Sequence, residues 1–304
     1  MKVLKIGGGC LNSSKNIRNL PVILEKYKND DIVIVISAFQ KTTNFLEKLI
    51  PSIDLRQNND KNKIDKNVSD LISYHSNIIF ELLDNRVKVE DFYEDLFSSF
   101  SSDFKNILSF KKYLYGIVIS NKDDYNFHYD QIVSIGEMLS SKIISRYLFD
   151  QNIANVFSDI RDTIITDSSY RSGNVDWVNT KKRAILNINK FPVVTQGFIA
   201  GNINNQTVTL GREGSDYSAA IIANVLSAEE VILFKDVDGI YNVDPKENDS
   251  AVKHDFLSYK ALYYILEQGC NVVHPKTIKP LRDKNIILRI KNYNNINQSG
   301  TVIK

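Results

Sequence analysis

Residues 209–220 read Thr-Leu-Gly-Arg-Glu-Gly-Ser-Asp-Tyr-Ser-Ala-Ala, two glycines, an arginine, a serine and an aspartate set just ahead of an apolar run. A β-branched segment that turns on glycine into a helix exposes unpaired N–H groups and a partial positive charge, which can hold a phosphate or a developing oxyanion. Gly211 and Gly214 let backbone approach such a ligand, and the planar fork of Arg212 suits a carboxylate or phosphate. The same stretch also reads as a plain helix start, with Ser215 or Asp216 as its N-cap. Lys5 ends an apolar segment and runs into Gly7, Gly8 and Gly9, a glycine turn whose lysine needs a partner or an anion. Ser37 and Thr43 follow a second apolar run; they offer hydroxyls to a ligand, and Thr42 or Thr43 also suits a helix cap. Glu137 lies among Ile135, Met138 and Leu139, surroundings that make it a ligand-facing carboxylate or a solvated one.

Two further loops are chemically dense. Lys235, Asp236, Asp238, Gly239 and Tyr241, followed by Asp244, Pro245 and Lys246, form either an Asp-Gly turn or a nucleotide site. In the second case Tyr241 stacks and the acids meet ribose hydroxyls or Mg2+. His274 before Pro275 and Lys276 reads as a structural helix start, and Asp159, Arg161 and Asp162 equally as structural ion pairs.

These loops must be positioned by a scaffold, and the pattern between them supplies one. Residues 3–6 and 31–37 read as strands, the second continuously β-branched and therefore covered on both faces. Each runs through a polar or glycine loop into helical sequence, with a break expected at Pro21. Further strands are expected over 192–199 and 230–234, a turn over 201–206, and a buried helix over 131–150. Such alternation gives a doubly wound α/β fold, whose ligands sit at the carboxyl ends of its strands. Residues 51–130 differ; they are polar with apolar positions at helical spacing, and read as a helical insertion without a chemical motif.

The chain has 304 residues, 43% apolar and 24% charged, with a formal charge of +2. Its scattered Lys and Arg do not form a nucleic-acid surface, and no stretch is long enough to span a membrane. Cys10 and Cys270 lack CxxC or His-rich company, which argues against zinc and for a reducing compartment. No signal peptide opens the sequence, so the expected location is cytoplasmic.

In this order the motifs resemble the aspartate kinase catalytic domain of the amino acid kinase superfamily. The matching pieces are Lys5-Ile-Gly-Gly, Val35-Ile-Ser-Ala with Thr43-Asn44, Gly136-Glu137, Gly197-Phe198, Leu210-Gly-Arg-Glu-Gly-Ser-Asp-Tyr, Asp236-Val-Asp-Gly with Asp244-Pro245, His274-Pro-Lys-Thr and Gly300-Thr301. The resemblance implies an open three-layer α/β/α sandwich with a mostly parallel central sheet, and transfer of the γ-phosphoryl of Mg-ATP to the β-carboxylate of L-aspartate. It implies ATP and Mg2+ as cofactors, aspartate and ATP as small-molecule partners, and a homodimer. It further implies an amino-acid lobe over 1–205 and a nucleotide lobe over 206–304. Carried over by position, Arg212 holds the α-carboxylate and Glu137 the ammonium, while Ser37, Thr43, Phe198, Ser215 and Asp216 complete that pocket. Lys5, Gly7 and Gly8 hold the transferring phosphoryl; Lys235, Asp236, Tyr241, Asp244, Lys246 and Lys276 lie near ATP.

This chain departs from the resemblance at Gly9 and Cys10, where relatives carry Thr-Ser, at Glu213 for glycine, at Lys235 for threonine, and at Asn271 for lysine. Lys235 is expected to restore the charge missing at Asn271. Two alternatives remain beside the leading one, a kinase for another acidic amino acid and a catalytically weak ligand-binding paralogue. The chain ends where typical members continue into ACT regulatory domains, so no built-in feedback inhibition is expected.

Overall fold

Five consecutive fully buried β-branched residues leave β2 (Ile32–Ile36) without a solvent face. Such a strand needs partners on both edges and cover on both sides. It pairs in parallel with β1 (Lys2–Ile6), from Lys2↔Ile32 to Ile6↔Ile36, and with β5 (Val193–Gln196). β1 pairs in parallel on its other edge with β8 (Glu230–Lys235). The remaining members are β3 (Val156–Phe157), β11 (Phe256–Leu257), β12 (Ile287–Asn292) and β13 (Thr301–Ile303). The order is β11-β13-β12-β8-β1-β2-β5-β3, parallel throughout except for the β12–β13 pair. The computed structural model describes residues 1–40, 42–50, 61–83, 107–243, 245, 248, 250–268 and 272–304.

The chain leaves β1 in one direction to β2 and β5 and returns on its other side through β8 and β12. That reversal opens a crevice at the carboxyl ends of β1, β2 and β8. Ser37 N–H donates to Ile6 O at 3.2 Å and Gly7 N–H to Phe234 O at 3.2 Å, so Gly7, Ser37 and Lys235 emerge side by side.

Helices α1 (Ser14–Ile17) and α2 (Leu20–Glu25) follow β1; Pro21 in the first turn of α2 marks the expected break. α3 (Thr42–Glu47) follows β2, and residues 61–133 carry α4 (Lys61–Leu82), α5 (Ile107–Gly116) and α6 (Lys122–Val133). The helix expected over 131–150 is divided at Ser134, where α6 ends and α7 (Ile135–Asp150) begins. α7 covers β2, β5 and β3, and α9 (Gly214–Leu226) covers β1, β2 and β8. α8 (Trp177–Asn187), α10 (Tyr259–Glu267) and α11 (Pro275–Arg282) complete the described helices. His274 caps α11, its Nδ1 accepting from Lys276 N–H at 3.2 Å. None of these helices is long and apolar enough to cross a membrane.

The strand expected over 192–199 is two strands. β5 stays in the large sheet, whereas β6 (Ile199–Asn202) joins a second sheet with β4 (Ile165–Thr166) and β7 (Thr207–Thr209). The switch occurs at Gly197 and Phe198, the latter left-handed at φ 69°. A Cβ on Gly197 would lie 2.6 Å from that of Ser215, so only glycine lets this corner seat against the start of α9.

Candidate active site

Lys5 is the last but one residue of β1 and only 6% exposed. Its Nζ lies 2.6 Å from Asp216 Oδ1, and Lys235 Nζ lies 2.8 Å from Oδ2 of the same carboxylate. Asp216 is fully buried in the first turn of α9. Burial alone would raise its carboxyl, but the two ammonium groups prevail and hold it below the usual carboxylate range. Lys235 is likewise opposed by burial yet held above its ordinary value by Asp216 and by Glu213, whose Oε2 is 3.6 Å away. Neither Ser215 nor Asp216 is the N-cap. That position belongs to Glu213, left-handed at φ 53° and making no capping hydrogen bond. The Asp216 side chain turns inward instead, because two buried lysines are stronger partners than one amide.

Glu137 lies in the first turn of α7 and is 4% exposed. Oε1 accepts from Ala38 N–H at 3.3 Å, while buried Oε2 has no partner among the described residues. Burial pushes the carboxyl up to about 8, with the Ala38 amide, its own backbone amide and Lys5 opposing only in part. A buried carboxyl oxygen without a partner is unfavourable.

Lys5, Gly8, Ser37, Thr43, Glu137, Phe198, Arg212 and Ser215 line one cavity of about 420 Å3. Asp216 lies behind it through Lys5, and Lys235 reaches it through Asp216 and Glu213. Gly8 is sterically required, since a Cβ there would lie 2.5 Å from Ala38 O. Gly7 does not line the cavity, its amide being engaged by Phe234 O. Nor do Asp236, exposed after β8, or Tyr241, paired with Lys253 in a ribbon of β9 (Ile240–Tyr241) and β10 (Lys253–His254). Lys276 donates from Nζ to Ser172 Oγ at 3.0 Å. Asp244, Lys246, Cys270 and Asn271 lie outside the described residues. Cys10 is buried, with Sγ 3.5 Å from Phe234 O, and burial pushes its thiol up to about 12, so it offers no nucleophile.

Thr42 is not a cap. It is fully buried, and its hydroxyl meets Nε2 of buried His75 on α4 at 3.3 Å. His75 Nδ1 is 2.9 Å from Leu71 O and so carries the proton; burial lowers its pKa to about 4, and the ring is neutral. Helix α4 therefore braces the loop after β2, helped by Tyr74 O–H donating to Gln40 O at 2.9 Å.

Three cavity-wall residues and one behind them escaped the sequence reading. Tyr129, Arg171 and Thr209 line it, and Asp130 lies behind them. Asp130 Oδ2 accepts from Arg171 N–H and Thr209 N–H, each at 2.8 Å, and Oδ1 from Thr209 Oγ1 at 2.7 Å. A larger cleft of about 910 Å3 lies elsewhere, against β6 and the 160–162 turn. Arg161, one of its two arginines, is already paired with Asp159 at 2.6 Å, and none of its lining residues carries an orphaned buried oxygen like that of Glu137, so we place the chemistry at the smaller cavity.

Among the described residues no three His, Cys, Asp or Glu side chains gather as a metal cage. Asp236 is exposed just beyond the end of β8.

The chain is similar to the bifunctional aspartokinase/homoserine dehydrogenase of Buchnera aphidicola, 31% identical over all of this chain and 36% of that protein. A chloroplastic relative of the same description from Arabidopsis thaliana is also 31% identical, over 99% of this chain and 32% of its own length. The chain thus spans about a third of these curated relatives. Its fold matches E. coli aspartokinase III, solved with aspartate and ADP, at a TM-score of 0.84 and 23% identity, over 100% of this chain and 64% of that one. The family model described as amino acid kinase family matches residues 1–292, and on that match, with the sheet and cavity above, the chain belongs to the amino acid kinase family.

Proposed function

We propose that this chain transfers the γ-phosphoryl group of ATP to the β-carboxylate of L-aspartate, giving 4-phospho-L-aspartate and ADP. The carrying observation is the orphan Glu137 Oε2 in the same cavity as Arg212 and Lys5. An α-ammonium satisfies that oxygen, the guanidinium fork takes the α-carboxylate, and the side-chain carboxylate is left facing Lys5 and Gly8. An oxygen of that carboxylate bonds to the γ-phosphorus as the bond to the β,γ-bridging oxygen breaks, and ADP leaves. The nucleophile is ionised at neutral pH, so no general base is needed. What it needs is relief from repulsion by the phosphates. Lys5 and Lys235 bring two positive charges to the strand ends, held there by buried Asp216 and, for Lys235, also by Glu213. Mg2+, when bound on the nucleotide, adds further neutralisation.

Similarity to proteins named aspartokinase supports this reading, as does the likeness to a structure solved with aspartate and ADP. A nucleotide position over 206–304, near Asp236 and Tyr241, a homodimer and a cytoplasmic location belong to the same reading. The test is a coupled ADP-release assay with hydroxylamine trapping of the acyl phosphate, run with aspartate, glutamate and no amino acid, with and without Mg2+. Aspartate-dependent, Mg2+-dependent hydroxamate is expected. Turnover with glutamate alone, or none with any amino acid, overturns the proposal.

A further inference from the structure

We propose that Arg171 is a second receptor for the substrate's α-carboxylate, working beside Arg212 and selecting a free amino-acid head group. This rests on reading the cavity as an amino-acid site.

Arg171 lines the same cavity as Arg212. Its carbonyl oxygen would lie 3.1 Å from a Cβ on Gly211, so the two arginines leave adjacent stretches of backbone. The guanidinium is set in place before any ligand arrives, 4.2 Å from the ring centroid of Tyr129 and 5.8 Å from that of Tyr125. Contact with a ring face leaves the in-plane N–H donors of the fork free for a planar anion. The residue is left-handed at φ 68°, unusual without glycine, and its amide is pinned by buried Asp130. A backbone held against its preference in this way marks a position fixed by its surroundings.

Charge pairing supports the assignment. Lys5 and Lys235 are engaged by Asp216, whereas neither Arg171 nor Arg212 has a carboxylate partner among the described residues. An amino acid with a second carboxylate brings one cation and two anions. Glu137 answers the cation, Lys5 faces the reacting carboxylate, and the two forks converge on the remaining one. A receptor on the group that does not react changes binding rather than the chemical step.

The experiment titrates L-aspartate and L-aspartate α-amide into the wild-type chain, Arg171→Met and Arg171→Lys by calorimetry, with steady-state kinetics and unfolding temperatures alongside. Arg171→Met is expected to bind aspartate about tenfold more weakly, with kcat within about twofold and KM for ATP unchanged. The α-amide should lose little, so the preference for a free carboxylate shrinks; Arg171→Lys should fall between. Equal aspartate affinity in wild type and Arg171→Met overturns this inference alone. So does an equal loss for the amide, or a loss confined to ATP or kcat. A wild-type chain that binds no aspartate overturns the proposed function and this inference together.

Discussion

Glu137 carries a definite pH signature. Burial pushes its carboxyl from the ordinary 4.5 up to about 8 in the folded chain. Between those values the folded chain holds a proton that the unfolded chain has released. Its contribution to stability is therefore fully present below pH 4.5 and lost as pH rises through 8. Glu137→Gln removes that pH dependence, so its Tm should fall less than wild type between pH 6 and 9, as followed by calorimetry. The variant also loses the anion for the ammonium, and KM for aspartate should rise at least about tenfold. In the wild type, aspartate affinity should improve as pH rises from 6 to 8, because Glu137 must ionise to pair. An aspartate KM in Glu137→Gln equal to that of wild type would remove it from the site.

The two lysines on Asp216 call for a kinetic test at the same scale. Both neutralise the strand ends, so their loss should fall on kcat. Lys5→Ala should be the more severe, since β1 fixes that side chain at the cavity wall. Lys235→Ala should lower kcat about tenfold, about 1.4 kcal/mol of barrier. Steady-state kinetics with aspartate and ATP varied separately decide this, and unchanged turnover in Lys235→Ala would show that the lysine serves Asp216 alone.

Among the elements, Asp130 ties α6, the 167–174 loop and β7 together through three donors. Asparagine can replace it, its amide oxygen accepting both N–H groups and its amide nitrogen donating to a reoriented Thr209 hydroxyl. Asp130→Asn should thus stay within about 1 kcal/mol of wild type in denaturant unfolding. Asp130→Ala leaves buried donors unsatisfied and should lose about 2 kcal/mol or more. Burial raises Asp130 to about 6, so its contribution is likewise lost as pH rises through that value, and the asparagine variant should lack this slope. The glycine loop after β1 gives a sharper steric contrast. A Cβ on Gly8 meets Ala38 O, whereas one on Gly9 meets nothing within 4 Å. Gly8→Ala should cost about 1–3 kcal/mol in thermal unfolding and most of the activity, and Gly9→Ala should resemble wild type.

At the scale of the whole molecule, one sheet crosses both proposed lobes. β1 pairs directly with β8, so residues 1–205 and 206–304 share a hydrogen-bonded ladder and a core. Unfolding should accordingly be a single transition, with the fluorescence of Trp177, the one tryptophan, and far-UV circular dichroism giving coincident curves. Two separated transitions would mean that the lobes fold independently.

The sequence by itself determined what short-range sterics control. The β-branched run of β2, the glycine turns after β1 and before α9, and the Pro21 break were all legible, because each depends on a few neighbouring residues. The residue types at the cavity were legible too, since Lys5 in an apolar strand and Glu137 in an apolar helix are expensive without a ligand or partner. Tertiary structure decided the rest. The strand expected over 192–199 divides because the corner at Gly197 must clear Ser215, an atom contact with no local sequence signal. Asp216 became the partner of two lysines rather than a cap because β1 and β8 lie side by side. Arg171 sits in a polar loop that looks like any other, and its place beside Arg212 exists only once Asp130, 41 residues earlier, has pinned it. Partners this far apart are chosen by the strand order of the sheet, which no local pattern encodes.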